Sequence, residues 1–111
     1  MGFRGSAEFP GGAEHYPGMS ENVIDNPQAS RYEIHVDGRL AGFVEYRNRP
    51  GRIVFTHTEV DAEYEGKGVG SALARGALDD VRARGLAVVP GCPFIKGWIS
   101  RHPGYDDLVA S

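Results

Sequence analysis

Two groups of residues in this chain are spaced for chemistry: a run of glycines that could hold an anion, and a few side chains that could move a proton. Glu65-Gly66-Lys67-Gly68-Val69-Gly70-Ser71 sets three glycines at alternating positions, leaving backbone N–H groups uncovered by Cβ atoms. Where such a loop opens a helix, the orphan N–H groups of the first turn and the positive end of the helix dipole attract a phosphate. Each charge-assisted bond to a diphosphate contributes about 1.5–3 kcal/mol, and Lys67 can add a point charge. The plainer alternative is a tight turn whose glycines serve only a positive φ.

Cys92 follows a short apolar run and directly precedes Pro93, a residue favoured in the first turn of a helix. A thiol at that position meets the dipole that stabilises a thiolate, so it could act as acid or base at a leaving sulfur, or accept an acyl group. A lone cysteine is also commonly a small buried hydrophobe. His57 and Glu59 lie two apart on a strand pattern, so they share a face and Thr58 points the other way. An amine must lose a proton as it attacks a thioester, and His57 or Glu59 could take it. A solvated strand face is the alternative for that pair. His102, beside Pro103, reads as a cap on helix-terminal carbonyls, and Trp98 and Tyr105 as packing.

Other chemistries are excluded by order and spacing. A phosphate P-loop needs Lys followed by Ser or Thr after its last glycine, and Gly66-Lys67-Gly68 runs otherwise. A dinucleotide fold needs a parallel strand before the loop and an acid at the end of the next strand, and Leu86-Ala87-Val88-Val89 carries none. The four histidines are scattered and there is one cysteine, so no metal site is expected.

The elements that position these residues follow from periodicity. Arg31 to Val36 alternates apolar and polar residues, Asp37-Gly38 is a hairpin dipeptide, and Leu40 to Tyr46 resumes as a second strand. After the turn Arg47-Asn48-Arg49-Pro50-Gly51, Arg52 to Val60 reads as a third strand. Three antiparallel strands therefore precede the glycine loop. Gly70, Leu73, Ala74, Ala77, Leu78 and Val81 then fall on one side of a helix, with Ser71, Arg75, Asp79 and Arg82 opposite, and Gly85 stops it. Leu86 to Val89 reads as a buried strand reached by a crossover. A short helix from Pro93 carries the apolar stripe Phe94, Ile95, Trp98 and Ile99, and Pro103-Gly104 ends it.

At 111 residues, 41% hydrophobic and 24% charged, the chain is one globular domain over residues 21–111. Met1 to Ser20 differs: rich in glycine and without apolar period, it reads as a disordered tail or a remnant of expression-vector sequence, with Met19 available as a start. No apolar run approaches a membrane span, and a net charge of −3 leaves no basic surface for nucleic acid. The single cysteine precludes an internal disulfide and suits a reducing cytoplasm.

The glycine loop resembles the pyrophosphate-binding motif Gln/Arg-x-x-Gly-x-Gly/Ala of the GNAT superfamily of N-acetyltransferases: Gly68 and Gly70 match, and Glu65 stands where Gln or Arg is usual. From His57-Thr58-Glu59-Val60 through the loop to Val89-Pro90-Gly91-Cys92-Pro93-Phe94, and again at Arg101-His102-Pro103-Gly104-Tyr105, the chain is similar to the small single-domain "minimal" members. The likeness covers about Ser20 to Val109. It implies an α/β (α+β) fold, a mostly antiparallel mixed sheet with a central helix after the glycine loop and a short C-terminal helix. Those small members lack the first strand and first two helices of full-length relatives. It also implies acetyl-CoA binding, with Thr58 and Val60 along the pantetheine and Glu65, Gly66, Lys67, Gly68, Val69, Gly70 and Ser71 around the pyrophosphate. The acetyl group would pass directly to an amine held where the His57–Val60 and Leu86–Val89 strands splay, with Cys92, His57 and Glu59 as catalytic candidates. The acceptor would be an amine on a small molecule or a protein. The other class of function is a non-catalytic acyl-CoA-binding module, since so short a chain leaves little material for an acceptor pocket.

Overall fold

Among the described residues four strands, not three, lead into the glycine loop. The computed structural model describes residues 21–110, and the segment read above as a tail, residues 1–20, lies outside them. Strands β1 (Glu21–Asn26), β2 (Arg31–Val36), β3 (Arg39–Arg49) and β4 (Arg52–Val60) pair in chain order, each antiparallel to the next. A 3₁₀ turn (Ala62–Tyr64) and the glycines follow, then helix α1 (Val69–Ala83), strand β5 (Ala87–Pro90), helix α2 (Pro93–Ser100) and a 3₁₀ segment (Pro103–Leu108). β5 joins the sheet parallel to β4, the mixed edge that the crossover predicts.

Strand β1 escapes sequence reasoning because Glu21-Asn22-Val23-Ile24-Asp25-Asn26 has adjacent apolar residues and β-poor Asn and Asp, hence no period of two. Tertiary contacts hold it. A Cβ on Gly76 of α1 would fall 2.8 Å from Val23 Cβ, so the missing side chain lets helix and edge strand touch. Asp25 accepts hydrogen bonds from Tyr46 Oη (2.6 Å) and Arg84 Nη2 (2.8 Å), while Tyr32 Oη donates to Asp80 at 2.6 Å. Burial, together with the bond to Asp80, raises the Tyr32 phenol well above its ordinary range.

The predicted β2–β3 turn is present, with Asp37 at φ 51° and Gly38 at φ 82°, the double positive φ of a type I′ hairpin. Helix α1 ends as its glycine predicts. Gly85 is at φ 72°, its N–H bonds Arg82 O, and Leu86 N–H bonds Val81 O, which is the Schellman pattern. The apolar side of α1, Leu73, Ala74, Ala77, Leu78 and Val81, is buried against Tyr32, Ile34, Val44, Phe55 and Val88 of the sheet.

Candidate active site

A β-bulge decides which β4 side chains face the cleft. β4 pairs Tyr46 with Phe55 but Glu45 with His57, so Thr56 is the extra residue and the alternation changes phase there. Ile53 and Phe55 point into the core before the bulge; after it Thr58 and Val60 are the half-buried ones and His57 and Glu59 the exposed ones.

The β4–β5 pair opens immediately downstream. Its parallel register runs from Arg52↔Ala87 to Phe55↔Pro90, and β4 continues to Val60 with no β5 partner. Backbone groups on that edge are then available to a ligand. The strands are held tight at the point of divergence, because a Cβ on Gly91 would lie 2.7 Å from Phe55 O.

Alongside the open edge lies a cleft of about 320 Å³ lined by Thr58, Val60, Tyr64, Glu65, Gly66, Gly68, Val69, Gly70 and Phe94. Gly66 and Gly68 adopt φ of 80° and 79°, the left-handed region where a side chain is strained. Gly68 is the N-cap of α1 and supplies no side-chain cap, and no acidic residue stands in the first turn. The first intrahelical bond shown there is Ala72 N–H to Gly68 O at 3.0 Å, so the preceding N–H groups of Val69, Gly70 and Ser71 are the orphans of the helix start. Gly70 is needed for packing as well: a Cβ there would come 3.1 Å from Phe94 and 3.5 Å from Val60.

Not every residue expected at the loop reaches the cleft. Lys67 is exposed and does not line it. Ser71, placed by periodicity on the polar side of α1, is half-buried and accepts a bond from Trp98 Nε1 at 2.9 Å, which ties α1 to α2. Tyr64 and Phe94 were missed as lining residues. Phe94 belongs to the apolar stripe of α2 by spacing, yet Ile95, Trp98 and Ile99 take the core and Phe94 is left at the cleft wall. Its place two residues after Cys92 was the available signal.

The proton-handling candidates form two pairs. Thr58 Oγ1 and Cys92 Sγ are 3.2 Å apart, and Cys92 is 3% exposed as the N-cap of α2. His57 Nε2 and Glu59 Oε2 are 2.8 Å apart on the opposite face of β4, both more than half exposed, with the Phe43 ring 6.4 Å from the imidazole. That face also carries Glu33, hydrogen-bonded by His35, Arg31 and Asn26, which hold its carboxyl down to about 2 against the opposing effect of burial. His102 caps as expected, Nδ1 lying 2.7 Å from Trp98 O, and its ring stacks on the indole at 3.8 Å. Among the described residues no group of His, Cys, Asp or Glu is arranged to hold a metal, and no helix is long and apolar enough to cross a membrane.

A mixed sheet splayed beside a glycine loop at a helix start is the arrangement that the resemblance to the N-acetyltransferases implies. A family model described as GCN5-related N-acetyl-transferase matches residues 31–108, and the chain belongs to that family. It is similar in fold to a GCN5-like protein of Staphylococcus aureus solved by NMR, with TM-score 0.63 and 22% identity over 81% of this chain and 88% of that one. The ribosomal-protein-S18-alanine N-acetyltransferase of Escherichia coli aligns with TM-score 0.54 and 19% identity over 86% and 61%. In sequence, 61 residues are 43% identical to a mycothiol acetyltransferase of Rhodococcus erythropolis, covering 55% of this chain and 19% of that protein. The chain thus spans about a fifth of that relative's length.

Proposed function

We propose that this chain is an acetyl-CoA-dependent N-acetyltransferase that passes the acetyl group directly to an amine, on a small molecule or a protein. The observation that carries the reading is the continuity of one cleft from the glycine loop to the open edge of β4. That cleft suits CoA chemically. The amides of Gly66, Gly68, Val69 and Gly70 and the α1 dipole would hold the diphosphate, and the unpaired β4 edge near Val60 would hydrogen-bond the pantetheine amides. The Lys67 and Ser71 side chains would contribute little there, and Glu65 is an exposed residue of the lining.

When bound, acetyl-CoA supplies an activated acetyl carbonyl; the rest falls to the chain. Because β4 has no β5 partner beyond Phe55, an amine can approach the thioester through that gap from the exposed face of the sheet. There His57, held by Glu59 at 2.8 Å, takes the proton that the amine loses on attack, and the carboxylate supports the imidazolium so formed. Backbone N–H groups of β4 stabilise the developing oxyanion. As the C–S bond breaks, the Thr58 hydroxyl, which lines the cleft, passes a proton to the leaving sulfur and takes one in turn from the Cys92 thiol behind it at 3.2 Å. The pair regains that proton by the same route from water in the cleft once CoA has left. Attack by the nitrogen forms the amide and releases free CoA, so charges and protons balance.

The test is a titration with CoA and acetyl-CoA followed by a free-thiol release assay with a panel of amines. Saturable binding with amine-dependent release is expected. Binding without turnover on any amine would sink the enzymatic reading and leave an acyl-CoA-binding module.

A further inference from the structure

We propose that the Thr58–Cys92 pair is the end wall of the acyl site and makes the chain selective for acetyl over longer acyl groups. The inference rests on the CoA reading of the cleft. β4 and β5 part after Phe55↔Pro90, and Gly91 keeps the chain against Phe55 O at that apex. Three residues beyond the last paired position the gap is closed again, this time by side chains: Thr58 Oγ1 reaches Cys92 Sγ at 3.2 Å. Thr58 lines the cleft while Cys92, 3% exposed, stands behind it.

A ligand anchored by its diphosphate at the glycines and lying along Val60 points its acyl end at this wall. The wall is stiff. Thr58 is β-branched and its strand is paired to Val44, and Cys92 is fixed by the first turn of α2, its carbonyl accepting from Lys96 N–H at 3.1 Å. The acyl group thus ends against a hydroxyl and a thiol that already satisfy each other. An added methylene must either separate them or withdraw the thioester from the attack position. Discrimination of about ten- to two-hundredfold per methylene is the usual yield of a pocket limited in this way.

Calorimetric affinities of the full-length chain for CoA, acetyl-CoA, propionyl-CoA and butyryl-CoA, measured without acceptor, test the wall independently of turnover. Acetyl-CoA is expected to bind at least tenfold more tightly than butyryl-CoA. Thr58→Ser, which removes one methyl and keeps the hydroxyl, should narrow that ratio several-fold; Thr58→Ala and Cys92→Ala should narrow it further. The butyryl-to-acetyl turnover ratio within each variant should move in parallel, whatever happens to the absolute rate. Equal wild-type affinities, or a ratio unchanged in all three folded variants while CoA still binds, would overturn the wall. Failure of the wild type to bind CoA at all would overturn the cofactor reading itself.

Discussion

Replacing Gly68 by valine perturbs the cleft at the residue where helix, loop and ligand would meet. Gly68 is the N-cap of α1 at φ 79°, ψ 5°, so a side chain there costs about 1–2 kcal/mol of left-handed strain, more for a β-branched one. For a domain of this size that corresponds to a melting temperature lower by roughly 5–15 °C. The effect on binding is larger. A branched side chain at the cleft wall would obstruct two or more of the amides that face a diphosphate, each worth about 1.5–3 kcal/mol, for a loss of about 3–6 kcal/mol or at least a hundredfold in Kd. Calorimetric titration with CoA well below the melting point, with circular dichroism to verify the fold, separates the two effects. Lys67→Ala is the control, since Lys67 is exposed and outside the lining, and its affinity should change only a few-fold. A folded Gly68→Val with wild-type affinity would refute the cradle.

Cys92→Ala should leave CoA affinity within a few-fold while lowering turnover about a hundredfold; equal turnover would make the thiol purely structural. His57→Ala should reduce turnover similarly while leaving CoA affinity within a few-fold, and unchanged turnover would remove it as the base. Glu33 is held at about 2 in the folded chain against an ordinary 4.5, so its contribution, on the order of 3 kcal/mol, is complete above pH 4.5 and lost as pH falls towards 2. Denaturant midpoints from pH 6 to 2 should fall less steeply for Glu33→Gln than for wild type, and identical slopes would contradict the assignment. Gly76→Ala gains about 1 kcal/mol in helix propensity but drives a Cβ to 2.8 Å from Val23, an overpacking cost of about 1–3 kcal/mol. Net destabilisation in thermal melts is expected, and a more stable variant would mean that β1 is not seated against α1.

Much of the fold is legible in residue order. The Asp37-Gly38 turn, the apolar side of α1, its arrest at Gly85 and the start of α2 at Pro93 are each set by local chemistry within a few residues, and each stands where periodicity puts it. Strand β1 was not legible, because its two apolar residues are adjacent and its stability comes from Gly76, Tyr46 and Arg84, which lie 20 or more positions away.

The candidate site divides along the same line. Sequence by itself determined the glycine-rich start of α1, since positive φ at Gly66 and Gly68 and an uncapped helix start are backbone properties of a short run, and it placed His57 and Glu59 on one face through the two-residue period of a strand. Only the tertiary structure decided how these parts face one another. The bulge opposite Glu45 and Tyr46 turns Thr58 and Val60 to the cleft, the parting of β4 from β5 creates the open edge, and the core claims Ile95, Trp98 and Ile99, leaving Phe94 for the wall. The meeting of Thr58 with Cys92 joins residues 34 positions apart. Register and helix seating are settled by the packing of the whole sheet, and no local window of the sequence contains that information.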